Sequence, residues 1–340
     1  MSVTIIFGGQ FGSEGKGKVA HYFAKKEKAD YCIRVGGSNS GHTVYRNEEK
    51  FIFRILPTGV IESHVTAILP AGSYINLSIL KEEMKIAALS DDRLLIDENA
   101  VVISEDFVVA EKQSDLRESI GSTESGTGAA VIARITRKKG VKLLARDFPE
   151  LKTCDTKKIL RDACIAGKNI IAEGTQGFGL SLLHAKEYPY VTSRDTSAAA
   201  ILSECGLSPF DVENIVMVIR AFPIRVSGDS GELPNEINWN ILRDELGKTK
   251  NMTEYTSCTN RVRRVARFDA DVVMRSIICN KPNIIVLNHL DYVDDSVHDE
   301  TEITAHCKKF VSVVEKQIGQ KINYFGTGTC TLFSREDILQ

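Results

Sequence analysis

The run Gly8-Gly9-Gln10-Phe11-Gly12-Ser13-Glu14-Gly15-Lys16-Gly17-Lys18 constrains this chain more than any other feature, because it directly follows an apolar stretch, Val3–Phe7. An apolar run without alternation reads as a strand buried on both faces. The residues from Val19 to Lys28 read as the helix that follows. Strand, glycine loop and helix, in that order, gather backbone N–H groups around an anion at a helix N-terminus. Gly12 to Lys18 matches the G-x-x-x-x-G-K half of a phosphate-binding loop. The next position, where a Ser or Thr hydroxyl would hold Mg2+, is Val19, so the metal needs ligands from elsewhere.

Strand-like and helix-like stretches alternate along the rest of the chain, which predicts an α/β class. The expected architecture is a P-loop-like nucleotide-binding fold with a large central, mostly parallel sheet and inserted helical and loop segments. Strands are expected at 31–35, 93–97, 169–173, 214–219, 283–288 and 322–325, and a hairpin at 43–46 and 51–56 turning over 47–50. Leu77, Leu80, Met84 and Ala87 fall on one helical face and predict a helix over 77–89. Further helices are expected at 107–119, 130–139, 156–166, 196–205, 236–246, 269–280 and 305–318. No linker or domain boundary is visible, so residues 1–340 read as a single catalytic domain. Glycine- or hydroxyl-rich loops recur at 8–17, 36–41, 121–128, 174–179, 227–231 and 326–328, and loops after the strands of an open α/β sheet bind ligands. Six of them point to a composite nucleotide site.

Forty-three basic against 45 acidic side chains leave a formal charge of −2. That balance excludes binding nucleic acid by bulk positive charge. No stretch approaches the roughly 18 apolar residues needed to span a bilayer, and the N-terminus lacks a basic, cleavable leader. The eight cysteines include no CxxC pair, so no zinc or redox motif is expected and the thiols read as reduced. A soluble cytoplasmic protein follows, with small-molecule ligands and neither nucleic acid nor membrane as partner.

The phosphate loop and five further segments resemble those of the adenylosuccinate synthetase family. Gly36-Gly37-Ser38-Asn39-Ser40-Gly41-His42-Thr43 is similar to that family's GGxNAGHT loop. Ile120–Thr123 resembles its IGTT, Glu173–Gly177 its EGAQG, Tyr188–Ser193 its YPYVTS, and Asn288–Asp291 its TKLD. In order, these cover almost the whole chain. The resemblance implies a ligase that exchanges a purine 6-oxo group for the amine of L-aspartate. A nucleoside triphosphate first phosphorylates O6, because phosphate leaves well where an amide-like oxygen does not.

Site residues carry over from the same resemblance. His42 matches the catalytic acid, Lys16 the lysine touching phosphoryl oxygens of both nucleotides, and Gln176 and Ser13 complete the catalytic set. The triphosphate is assigned Gly12, Glu14, Gly15, Lys16, Gly17, Lys18, Gly41, His42, Thr43, Arg263, Asn288 and Asp291, with Gly326, Thr327 and Gly328 closing over its base. The monophosphate is assigned Ser13, Asn39, Ser122, Thr123, Gln176, Thr192 and Arg261. Arg137 matches an arginine reaching that nucleotide from a partner subunit, which implies a homodimer. Ser257, Cys258, Thr259, Arg261 and Arg263 match a loop that binds the carboxylates of aspartate, chemistry that suits guanidinium groups. Ser13 and the Gly41 carbonyl are the candidate Mg2+ ligands.

Two departures bear on the substrates. Ser13 stands where the family has an aspartate that takes the N1 proton of inosine monophosphate (IMP) and touches Mg2+. A serine is a far weaker base, but it leaves space for a 2-amino group beside N1. In this the loop resembles that of phage enzymes which make 2-aminoadenylosuccinate from dGMP, for 2-aminoadenine DNA. Phage encoding would place the protein in the host cytoplasm. His289 replaces the lysine of a guanine-specific Asn-Lys-x-Asp platform, and Asp291 suits the 6-amino group of adenine, so ATP (or dATP) is expected rather than GTP. Two alternatives stand beside this reading. One is an ordinary adenylosuccinate synthetase using IMP and GTP; the other is a nucleotide-binding regulator without chemistry.

Overall fold

The computed structural model describes residues 2–248, 252–256 and 260–338. Among these, ten strands form one sheet in the order Leu332–Ser334, Tyr324–Gly326, Ile284–Asn288, Val212–Arg220, Ser2–Gly8, Asn169–Gly177, Tyr31–Arg34, Thr66–Leu69, Leu94–Asp97 and Thr153–Cys154. All neighbouring pairs run parallel except the first, Leu332–Ser334 on Tyr324–Gly326. The central strand is the first in the chain. It lies between strands from the middle of the sequence, with Ile5 opposite Ala172 on one side and Ile215 on the other.

Burial on both faces explains the unbroken apolar runs. Helix Lys16–Lys26 covers one face, where Val19, Ala20, Phe23 and Ala24 join Ile6, Ile171, Val216 and Val286 in one core. On the other face Ile5, Phe7, Met217, Ile219 and Leu287 share a core with residues of helices Ala198–Cys205, Ala270–Asn280 and Ala305–Ile318. A small antiparallel sheet of Ile224–Val226, Arg263–Ala266 and Glu236–Ile237 stands beyond the strand ends. No helix among the described residues is long and apolar enough to cross a membrane.

Several expectations need correction. The 107–119 helix is two, Glu105–Lys112 and Leu116–Ile120. Ser114 lies between them; its hydroxyl donates to the Glu111 carbonyl at 2.6 Å, a local bond that competes with helix continuation. The 236–246 helix starts only at Trp239, because Glu236 and Ile237 pair as a strand and Asn238 caps the helix by accepting from Ile241 N at 2.9 Å. The 130–139 helix runs Thr127–Thr136, and Arg137 follows it in a left-handed conformation (φ 52°), so the basic cluster 137–139 lies past the helix end. The hairpin is His42–Arg46 with Glu49–Phe53; its two turn residues, Asn47 and Glu48, both have positive φ, as a two-residue primed turn requires. Strands Thr66–Leu69, Thr153–Cys154 and Leu332–Ser334 were not anticipated.

Candidate functional site

The parallel strands end side by side at Gly326, Asn288, Arg220, Gly8, Gly177 and Arg34, and the loops that leave these ends surround a cavity of about 400 Å3. This is the crevice where open α/β sheets bind ligands. Its wall includes Gly12, Ser13, Gly15, Lys16 and Gly17 from the phosphate loop, and Asn39, Gly41, His42 and Thr43 from the second loop. Ser122, Thr123, Gln176, Thr192, Arg261 and Arg263 complete the part anticipated from sequence.

The phosphate loop is built around its own carboxylate. Glu14 is fully buried and points beneath the loop rather than into the cavity. It accepts from Gly12 N at 2.8 Å and Gln10 N at 3.2 Å, and pairs with Lys16 Nζ at 2.8 Å. Gly15 caps the following helix at φ 86°, and a Cβ there would lie 2.8 Å from Asn288 Nδ2, so a side chain is excluded by both conformation and space. Ser13 is exposed to the cavity, also with a left-handed backbone (φ 58°). Its carbonyl accepts from Arg220 Nη1 at 3.1 Å.

His42 opens the hairpin, and its Nδ1 bonds Glu173 on the strand Asn169–Gly177. Glu173 is also held by Arg34 Nη1 at 3.2 Å, Thr58 N at 2.7 Å and Thr58 Oγ1 at 2.9 Å. Burial alone would raise the Glu173 carboxyl, but His42 and Arg34 hold it below its usual range. An ionised carboxylate only accepts, so Nδ1 carries the proton and Nε2 is the nitrogen left for a ligand. Burial, then Arg34, push His42 down to about 4 against the opposing pull of Glu173.

The remaining predicted residues are distributed differently. Lys18, Asn288, Asp291, Gly326, Thr327 and Gly328 gather at the neighbouring strand ends. There Lys18 Nζ donates to the Gly328 carbonyl at 2.8 Å and to Thr331 O at 3.1 Å, and burial lowers it to about 8. Asn288 Nδ2 donates to the Glu14 carbonyl at 2.7 Å, while its Oδ1 and Asp291 Oδ1 are buried without a partner among the described residues. Those two acceptors are free for a donor such as an exocyclic amine. Arg137 is exposed and outside the cavity wall. Ser257, Cys258 and Thr259 lie outside the described residues.

Sequence reasoning missed several wall residues. Glu254 faces the cavity, held by Arg220 Nη2 at 2.6 Å, Arg263 Nη1 at 2.7 Å and Tyr292 OH at 2.8 Å. Burial alone would raise its carboxyl, but Arg220 and Arg263 keep it well below the usual range. Arg225 stacks its guanidinium over Phe11 at 4.8 Å, and burial lowers it to about 10. Glu111 accepts from Gly126 N at 2.7 Å and Ala129 N at 3.1 Å at the start of helix Thr127–Thr136. Arg34, Glu173 and Arg220 did leave a signal, since Arg34 and Arg220 are charged residues ending buried apolar strands and Glu173 directly follows the apolar run of another.

Comparison with known proteins agrees with this geometry. A family model described as adenylosuccinate synthetase matches residues 5–147 and 141–300. The adenylosuccinate synthetase of Archaeoglobus fulgidus is 33% identical over 335 residues, 96% of each chain. That of Methanococcus aeolicus is 34% identical over 337 residues, 96% of this chain and 97% of the relative. Among solved structures, the succinoaminodeoxyadenylate synthetase of cyanophage S-2L, bound to dGMP and to dATP as energy donor, superimposes with a TM-score of 0.82 at 28% identity, covering 98% of this chain and 95% of that one. A fully ligated adenylosuccinate synthetase from Plasmodium falciparum gives a TM-score of 0.84 at 20% identity, covering 98% and 100%, a likeness of fold.

The buried imidazole has a consequence for stability. Its folded value, about 4, lies below the ordinary 6.5, so protonation favours the unfolded chain. The contribution of neutral His42 is complete above about pH 6.5 and is lost as pH falls toward 4, on the order of 3 kcal/mol. Urea unfolding between pH 4 and 7 is expected to give a slope that flattens in His42→Gln; an unchanged slope would mean that the imidazole is not held neutral.

Proposed function

The chain belongs to the adenylosuccinate synthetase family, carbon–nitrogen ligases of purine biosynthesis, and from that premise we propose that residues 1–340 act as one catalytic domain joining L-aspartate to C6 of dGMP at the expense of ATP (or dATP). The observation that carries this reading is Ser13, an exposed hydroxyl at the cavity wall where the family places a carboxylate. The likeness to the cyanophage enzyme supports it. The product is 2-amino-2′-deoxyadenylosuccinate, a precursor suited to 2-aminoadenine DNA.

The reaction divides in two. The γ-phosphoryl group passes to O6 of the purine as its bond to the β-phosphate oxygen breaks and N1 gives up its proton to solvent, releasing ADP (or dADP). The aspartate amine then attacks C6, loses a proton, and phosphate departs. Lys16 neutralises phosphoryl oxygens while Glu14 fixes its ammonium in place. His42, neutral in the free protein, takes up a proton from solvent as phosphoryl charge arrives, because Glu173 stabilises the imidazolium through Nδ1. Nε2–H then donates toward O6 and the transferring group. Gln176, Asn39, Ser122, Thr123, Thr192 and Arg261 hold the monophosphate, and Arg261 and Arg263 the carboxylates of aspartate.

Among the described residues no group of three His, Cys, Asp or Glu side chains could cage a metal, and no hydrogen bond occupies the Ser13 hydroxyl. That donor set fits Mg2+, which takes few protein ligands and completes its shell with phosphate oxygens and water. Ser13 and the Gly41 carbonyl would hold it, and when bound it neutralises phosphoryl charge.

A second copy of the chain completes the site in this reading. Arg137 lies beside the exposed Ile132 and Ile135, 62% and 66% accessible, an apolar pair suited to cover by a partner. Mixing inactive Arg137→Ala with inactive His42→Ala subunits is expected to restore part of the activity; no recovery after demonstrated subunit exchange would reject the shared site.

Phosphate release should require dGMP, ATP and L-aspartate together, with a product heavier by the attached succinyl group. Turnover of IMP but not dGMP would overturn the substrate assignment, and nucleotide hydrolysis indifferent to aspartate would favour a regulator. Ser13→Asp restores a base for N1 and crowds the 2-amino group. It is expected to shift the dGMP-to-IMP ratio of kcat/KM toward IMP by roughly 10–200-fold. An unchanged ratio would remove Ser13 as the specificity residue.

A further inference from the structure

Arg220 reaches two parts of the site that are distant in sequence. Its backbone N–H donates to Gln10 Oε1 at 2.8 Å and its carbonyl accepts from Gln10 Nε2 at 3.2 Å, which fixes it to the start of the phosphate loop. Its guanidinium, fully buried, splits between the Ser13 carbonyl (3.1 Å) and the Glu254 carboxylate (2.6 Å). Glu254 in turn is tied to residues 261–263. Its carbonyl accepts from Arg263 N at 2.9 Å, its side chain holds Arg263 Nη1, and Thr256 N donates to Arg261 O at 2.9 Å. Tyr292 OH donates to the same carboxylate oxygen as Arg220 Nη2, and its ring lies against the Arg220 guanidinium.

The two ends of this bridge have different tasks in the proposed reaction. Ser13 meets the N1 and 2-amino edge of the purine, while Arg261 and Arg263 meet the carboxylates of aspartate. Ser13 is a non-glycine residue with positive φ, a conformation that persists only when its surroundings hold it. Glu14 anchors the loop at Gly12 and Arg220 anchors it at the Ser13 carbonyl. The planar fork of a guanidinium can bond a carbonyl and a carboxylate at once, which a point-like ammonium cannot reproduce.

We propose that Arg220 and Glu254 are positioning residues that lock the Ser13 loop to the segment carrying Arg261 and Arg263, so that purine discrimination and aspartate capture are assembled as one unit. The inference rests on the ligase reading above and extends it. Neither residue needs to touch a reacting atom. Loss of either end of the bridge disturbs both functions, because the Ser13 peptide and the Glu254 carboxylate share one guanidinium.

The test is steady-state kinetics on the full chain with Arg220→Lys, Glu254→Gln, the double variant and Tyr292→Phe. Arg220→Lys keeps the charge but not the fork, and Tyr292→Phe removes only the hydroxyl donor to Glu254. The expected result is a rise of at least fivefold in the KM for L-aspartate in both single variants, with a parallel fall in discrimination between dGMP and IMP. The double variant should be no worse than the worse single one, as for two halves of one contact. A merely structural role would lower kcat through the active fraction and leave the aspartate KM and the purine ratio unchanged. That result, or effects that multiply in the double variant, would overturn the proposal. If the charge variants do not fold, Tyr292→Phe decides: a rise of twofold or more in aspartate KM supports the bridge, and a smaller one rejects it. The aspartate measurement uses whichever purine monophosphate the unaltered chain turns over, so an error in the dGMP assignment would be seen in the unaltered chain alone.

Discussion

The phosphate loop encloses an anion of its own, and the rest of the site is arranged on that fact. A loop of glycines between a buried strand and a helix has backbone N–H groups that need acceptors whether or not a ligand is present. Glu14 supplies them from beneath, accepting from Gln10 and Gly12 while its other oxygen fixes Lys16. The loop can therefore hold its shape before any nucleotide arrives. Among the described residues the Lys16 ammonium pairs with Glu14, which leaves further N–H donors on it to spare. Preorganisation of this kind is what phosphoryl transfer demands, since the protein contributes position and charge rather than bonds.

The same device recurs around the cavity. Glu173 orients His42, Glu111 closes the start of a helix, and Glu83 accepts from the backbone of Arg54, Ile55 and Leu56 beneath the hairpin. Each is a carboxylate almost wholly removed from water and compensated by several donors, the condition under which a buried charge is tolerable. The active-site wall is thus polar in chemistry but rigid in construction, because losing any one donor leaves a charge without compensation.

Much of the fold was legible because its central strands are buried on both faces. Val3–Phe7, 169–173, 214–219 and 283–288 stand out as apolar runs bounded by glycine or charge. Short edge strands such as Thr153–Cys154 and Leu332–Ser334 carry no such pattern, since two or three residues cannot establish a period. The site was legible where glycine and hydroxyl residues cluster, as at 36–43 and 120–123. Glu254 and Arg225 were not, because a charged residue in a loop or a three-residue strand reads as surface until the topology brings it inward. Helix ends were misjudged for local reasons: Ser114 bonds its own backbone, and Asn238 starts a helix that composition alone would begin at Glu236.

The contact between Lys18 and the carbonyls of Gly328 and Thr331 spans more than 300 positions. It joins the helix behind the phosphate loop to a segment translated long after it. The central strand likewise waits for partners at 169–177 and 212–220 before either of its edges is closed. Contacts so distant in sequence pay their loop-closure entropy late. A nascent chain therefore carries a phosphate loop long before it carries the strands and the carbonyls that fix that loop in place. The order of synthesis thus separates making this loop from locking it.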